Sequence, residues 1–228
     1  MNYQKYQSER TQMEKPAKKR FKPYAWVTWL ASLLAEEKLC KYAVWLPTQY
    51  QIEKPPSNYD PSEHDEMVIQ RASQLQAEGF TVYVEYANSL KVNGKIYDIC
   101  VAGRPDIVAI KDSWVVVEDC KTGKRRDSHR FQVLLYMLLL PLAAETQHHC
   151  HGQIPHGRLV YPDGTVEIPA WAVDRQFKQL LHQTIATICS TTPPNPTPSS
   201  WECRYCNIPT THCPTNILYK PVQAERAV

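Results

Sequence analysis

The chain has 228 residues, 43% of them hydrophobic, with 26 Lys and Arg against 23 Asp and Glu, 8 Cys, 18 Pro and only 7 Gly. That length fits one large domain, or one domain with a small appendage, and the apolar content can build a core, which excludes a disordered or fibrous protein. The net charge of +3 averages unlike parts: residues 1–24 hold seven bases and two acids, so attraction to polyanions is concentrated at one end of a slightly acidic body.

Residues 1–23 lack hydrophobic periodicity and read as a basic flexible arm. A helix is predicted over 25–38, where Trp26, Trp29, Leu30, Leu33 and Leu34 recur at helical spacing. A Pro- and Tyr-bearing loop follows over 47–61, then a second helix over 62–78 with Ser62 or Asp60 as N-cap and Gly79 as its stop. From residue 80 the period changes, and strands are expected over 81–90, 95–102, 106–110 and 113–119, with turns at Asn93-Gly94 and Asp112-Ser113. A long helix over 128–144, a hairpin at Asp163-Gly164 and an amphipathic helix over 171–189 complete an order that argues for α/β layers. Residues 191–200 contain four prolines and read as a stiff linker to a cysteine-bearing tail.

The apolar run over 133–144 contains Pro141 and falls well short of the roughly 20 residues that span a bilayer. The basic N-terminus has no apolar signal stretch, so a cytoplasmic protein without membrane contact is expected. In a reducing compartment, eight cysteines point to metal binding before four disulfides.

Asp119 and Lys121 are two apart on a predicted strand and leave it on one face, together with Val115 and Val117. Asp106 opens the preceding strand, and the short turn between them makes the two strands neighbours. Two carboxylates so placed can hold a hard ion such as Mg²⁺, and a lysine beside them can orient a water or offset phosphoryl charge. For a single Asp-x-Lys, a surface ion pair is the plainer account. Gln132 and Tyr136 add weight: they are four apart on one face of an apolar helix, where a buried glutamine needs a hydrogen-bonding partner.

Together Pro105, Asp106, Asp119, Lys121, Gln132 and Tyr136 resemble the PD-(D/E)xK nuclease superfamily, in its RecB-like branch with a downstream Q-x-x-x-Y helix. The resemblance implies an α/β fold: a restriction-endonuclease-like core with a central mixed β-sheet flanked by helices. It implies Asp106, Asp119 and the Cys120 carbonyl as ligands of Mg²⁺ or Mn²⁺, Lys121 as the catalytic lysine, and Gln132 with Tyr136 as supports of the site. It also implies a histidine ligand from a helix before the sheet, for which His64 is the candidate and Glu63, Asp65 and Glu66 are alternatives. The basic run Lys124, Arg125, Arg126 and Arg130 suits contact with a phosphate backbone, a solvated loop being the other reading.

Cys203 and Cys206 form a C-x-x-C loop with Cys213 close behind, an arrangement that favours a metal. Cys40 is the natural fourth ligand. One cysteine before the core and three after it resembles the iron-sulfur RecB-like nucleases, including CRISPR-associated exonucleases and AddB-type nuclease domains. That implies a [4Fe-4S] cluster joining the N- and C-terminal segments. Zinc, on the four cysteines or on three plus His212, is the alternative. Cys100, Cys120, Cys150 and Cys189 read as ordinary thiols.

The division expected is the arm over 1–23 and a nuclease domain over 24–228. The latter comprises a helical part with Cys40 over 24–62, the core over 63–190, the linker over 191–200 and the cluster tail over 201–228. The function implied is that of a metal-dependent DNA nuclease, an exonuclease acting on single-stranded DNA or DNA ends. Its setting would be CRISPR adaptation in antiviral defence, or DNA recombination and repair, with proteins of those systems as partners. The alternatives are a non-catalytic DNA-binding or partner-binding subunit of the same fold, and a zinc-tailed DNA-binding protein.

Overall fold

The computed structural model describes residues 17–52, 60–213 and 215. In chain order its elements are β1 (Lys18–Lys19), β2 (Tyr24–Trp26), α1 (Val27–Leu34), α2 (Tyr42–Gln49), β3 (Tyr50–Gln51), α3 (Ser62–Ala77), β4 (Thr81–Val84), β5 (Leu90–Asn93), β6 (Cys100–Gly103), β7 (Ile107–Lys111), β8 (Trp114–Cys120), α4 (Asp127–Leu139), β9 (His156–Tyr161), β10 (Gly164–Ile168), α5 (Arg175–Cys189) and α6 (Ser200–Arg204).

The central element is a five-stranded mixed sheet in the order β10-β9-β8-β7-β4. Only the β8–β9 pair is parallel; a parallel pair needs a long crossover, and α4 lies within it. On one face of the sheet, Val68, Ala72 and Leu75 of α3 pack with Ile107, Ala109, Val116 and Cys120. On the other, Val133, Leu134 and Met137 of α4 join Val108, Val115 and Val117. Burial from both sides explains why β7 and β8 read as nearly continuous apolar runs. A second, three-stranded sheet, in the order β2-β6-β5, extends this core beside α1. The fold is thus α/β, with mixed sheets flanked by helices, consistent with a restriction-endonuclease-like core. No described helix is long and apolar enough to cross a membrane.

Several boundaries depart from expectation. The strand expected over 81–90 is broken into β4 and β5, which lie in different sheets. The 3-10 turn Glu85–Asn88 separates them: Glu85 adopts a left-handed φ of 41°, and the buried Asn88 amide donates to Tyr83 O at 2.8 Å. The helix expected to reach residue 144 ends at Leu139 because Pro141 cannot continue it, and a 3-10 turn takes over. The expected first helix begins as β2, whose edge pairing with β6 overrides its helical spacing. The last begins later than expected, at Arg175, where Asp174 accepts a hydrogen bond from Phe177 N at 2.7 Å. Part of the expected basic arm is held in place: β1 pairs with β3, and Arg20 N donates to Gln49 O at 2.8 Å. Residues 1–16 of that arm, 53–59 of the expected loop, and 214 and 216–228 of the tail lie outside the described residues.

Candidate active site

The antiparallel register of β7 and β8 pairs Ile107 with Glu118, so one step further along it sets Asp106 opposite Asp119. The two carboxylates arise on adjacent strands at the end of the central sheet. Asp106 Oδ2 accepts the Cys120 backbone N–H at 2.7 Å and lies 3.2 Å from His64 Nε2. Asp119 points to the α4 face, where Gln132 Nε2 donates to its Oδ1 at 3.0 Å. The same amide nitrogen lies 3.3 Å from the Tyr136 hydroxyl, which donates to Arg104 O at 3.2 Å. Helical spacing of four brings Gln132 and Tyr136 together, and strand alternation aims Asp119 at them.

Lys121 Nζ stands 2.5 Å from Asp119 Oδ2, yet that buried oxygen has no aligned hydrogen-bond donor. We read the contact as a close ion pair with poor directional geometry, which leaves Oδ2 incompletely satisfied. Burial pushes the Asp119 carboxyl up to about 6, with Lys121 opposing the shift and Asp106 adding to it. For Lys121, burial disfavours the charge, but the neighbouring carboxylates outweigh it and its pKa rises. His64 is also raised, first by its hydrogen bond to Asp106 and against its partial burial. Burial raises Tyr136 as well, keeping its hydroxyl protonated.

Among the described residues, His64, Asp65 and Glu85 bring one ligand atom each within 4.8 Å of one another. This group joins the carboxylate pair through the His64–Asp106 contact and through Glu85 N, which donates to Asp106 O at 2.9 Å. Glu85 is the member that sequence reasoning missed. Its place depends on the left-handed turn that interrupts an apparently continuous strand.

The basic run is mostly exposed, and Arg125 is already engaged: it pairs with Asp163 at 2.8 Å and lies 4.6 Å from the centre of the Tyr161 ring. The Cys120 thiol faces α3, away from Asp119, and burial raises its pKa. Beside Asp119 in the chain, Glu118 points to the α3 face. It is fully buried, chelated by Arg71 at 2.7 and 2.9 Å and also bonded to Arg158.

Cys40, Cys203, Cys206 and Cys213 line a single cavity. Glu202 builds its rim: Oε1 accepts from Leu39 N at 2.9 Å and Cys40 N at 3.0 Å, while Oε2 accepts from Ser199 N at 2.7 Å in a capping box. Tyr42 OH donates to His212 O at 2.7 Å, and Trp45 Nε1 to Ser190 O at 2.8 Å, so helix α2 is the platform on which the tail rests. Among the described residues, His212 is not part of the cavity lining, and no three of the four sulfurs lie within 4.8 Å of one another. Burial, with neighbouring thiols adding to it, raises the Cys40 and Cys203 pKa values.

A family model described as the PD-(D/E)XK nuclease superfamily matches residues 10–213. The chain belongs to that superfamily. Among solved structures, one described as the crystal structure of SSO0001 is similar over 93% of this chain and 95% of its own, with 20% identity and a TM-score of 0.46. A search of curated proteins found no match.

PD-(D/E)XK nucleases use divalent metals, and the residues present fit such an ion. The incompletely satisfied Asp119 Oδ2 is a buried anionic oxygen suited to a cation. The surrounding donors are carboxylates and one imidazole, the hard-to-intermediate set that Mg²⁺ and Mn²⁺ accept.

Proposed function

We propose that the chain is a Mg²⁺- or Mn²⁺-dependent deoxyribonuclease acting on single-stranded DNA or DNA ends, with a [4Fe-4S] cluster in the thiol cavity. The observation that carries the hydrolytic reading is Asp106 opposite Asp119 with Lys121 alongside, in a chain whose family match spans these residues. Asp106, Asp119, the Cys120 carbonyl and His64 would hold the ion, with Asp65 and Glu85 within reach of the same place. A bound divalent ion activates water and stabilises charge on the phosphoryl oxygens. The chain's own residues do the rest. Gln132 fixes Asp119 Oδ1 and so the direction of Oδ2, Tyr136 fixes Gln132, and the Cys120 N–H fixes Asp106. Lys121 is placed to donate to a phosphoryl oxygen or to orient the attacking water. Lys124, Arg126 and Arg130 supply backbone attraction beside the site, Arg125 being tied to Asp163.

The cluster reading is supported by the place of the thiols: Cys40 from before the core and Cys203, Cys206 and Cys213 from after it line one cavity, and four cysteine thiolates are the ligand set of a [4Fe-4S] cluster. A zinc ion on the same four sulfurs is the alternative. One chain running from 24 to 228, with the cluster joining its ends, is the organisation this implies. The setting this reading implies is CRISPR adaptation or DNA recombination and repair.

End-labelled single- and double-stranded DNA digested with Mg²⁺ or Mn²⁺ tests the activity. Lys121→Ala is expected to lower the rate about 100- to 1,000-fold, and full activity in both Asp119→Ala and Lys121→Ala would rule the nuclease reading out. Metal analysis of anaerobically purified protein tests the cofactor: about four iron atoms per chain are expected, and stoichiometric zinc without iron would replace the cluster by a zinc site.

A further inference from the structure

Beside the carboxylates lies a second feature that the cleavage chemistry does not use. A cleft between the three-stranded sheet and the turn after β4 is lined by Trp26, Tyr86, Lys91 and Arg104, and it reaches Gln132 and Tyr136. Two large aromatic side chains face solvent in it: Tyr86 is 79% exposed and Trp26 41%. Single exposed aromatics are ordinary, but a pair in one cleft next to a reaction centre calls for a ligand with a flat apolar face. The Arg104 guanidinium packs 4.4 Å from the centre of the Tyr86 ring, steadying that ring while most of it stays open. Lys91 and Arg104 outnumber the one acid of the lining, Glu145. The cleft is coupled to the catalytic centre through hydrogen bonds running from Arg104 O to Tyr136, to Gln132 and on to Asp119.

We infer that this cleft is a stacking subsite for an unpaired base of the DNA strand being cut, with the base against Tyr86 and Trp26 and the adjoining phosphates near Arg104 and Lys91. The inference rests on the nuclease reading and deepens it. Aromatic side chains stack only on bases free of their neighbours, so the subsite selects single-stranded DNA over duplex. It is separate from the basic run after β8, none of whose residues belongs to the lining.

The test is fluorescence anisotropy of the full chain without divalent metal, using labelled oligothymidylate, an abasic oligomer of equal length and a blunt duplex. Tyr86→Ala is expected to weaken oligothymidylate binding about 5- to 150-fold, leaving the abasic oligomer and the duplex unchanged. Tyr86→Phe, which keeps the ring, should bind as wild type does. Lys91→Gln should weaken oligothymidylate and the abasic oligomer alike and reduce the salt slope by about 0.7. Unaltered oligothymidylate binding by Tyr86→Ala, or an equal loss on the abasic oligomer, overturns the subsite. So does a wild type that does not distinguish the two oligomers, which would leave the aromatic pair to a protein partner. Cleavage is scored separately: a wild type that cuts while Tyr86→Ala binds normally removes only the subsite. A wild type that never cuts removes the nuclease reading, and the oligomer comparison still decides the cleft.

Discussion

Glu118 and Asp119 are neighbours on one strand, both buried and both carboxylates, and they face opposite sides of the sheet. Glu118 meets Arg71 and Arg158, which take up both of its oxygens. Asp119 meets one amide and one lysine, and its Oδ2 lacks a proper donor. A buried charge that is fully compensated serves architecture: here it ties α3, which carries His64, to the strand that carries Asp119. One left partly uncompensated, as at Asp119, marks a candidate ligand site.

The contrast is broken most directly by removing each carboxylate in turn. Glu118→Ala leaves the half-buried Arg71 with only Gln74 and Arg158 with only Glu167, and should destabilise the protein by about 1–3 kcal/mol, read as a loss of Tm. Asp119→Asn should leave stability within about 1 kcal/mol while abolishing cleavage. Equal losses of Tm in the two variants would end the distinction. Next in size, Gln132→Ala frees Asp119 Oδ1 and should lower metal affinity or rate about 10- to 100-fold, measurable by Mn²⁺ titration. Gly103→Ala probes the same support from behind. An added Cβ would come within 2.7 Å of Tyr136 Cε1 and 2.8 Å of Val27 Cγ2. A cost of about 1–3 kcal/mol in urea unfolding, with reduced activity, is expected.

The smallest effects come from pH. Although burial alone would raise it, the Glu202 carboxyl is held below its ordinary 4.5 by backbone hydrogen bonds from Ser199, Cys40 and Leu39 and by the Ser199 side chain. A depressed carboxylate contributes stability above its unfolded pKa and loses it as pH falls through the folded value. Hydrogen-exchange protection factors at Leu39 and Cys40, taken relative to the intrinsic rate at each pH, should therefore fall as pH drops below 4.5, ahead of global unfolding. Raised His64 acts with the opposite sign on stability, contributing below 6.5 and losing that contribution as pH rises through its folded value. Its proton competes with a metal ion, so Mn²⁺ affinity should climb as pH rises through 6.5 and above.

Much of the site was legible because it obeys short periods. Asp119 and Lys121 share a strand face, Gln132 and Tyr136 a helix face, and the turn at Asp112, with φ of 54°, pairs the two strands locally. What escaped depends on distance or on broken regularity. The partners of Glu118 lie 47 and 40 residues away, and no local pattern announces them. Helix α2 contains Pro47, which argues against a helix in any single-sequence reading. Glu85 was hidden inside a segment that alternates like one strand until Asn88 buries its amide and turns the chain. The cysteines stood out by spacing, but their platform on α2 did not.

The rim of the thiol cavity also has a consequence for the order of biosynthesis. Glu202 reaches back 163 residues to Leu39, whereas Asp106 and Asp119 belong to one hairpin. During vectorial synthesis the hairpin can close while the tail is still inside the ribosome. Cys40 meets Cys203, Cys206 and Cys213 only once residue 213 has emerged. The thiol cavity therefore closes after the carboxylate pair, and a product lacking residues 199–213 would carry that pair while the Leu39 and Cys40 amides lose their Glu202 acceptor.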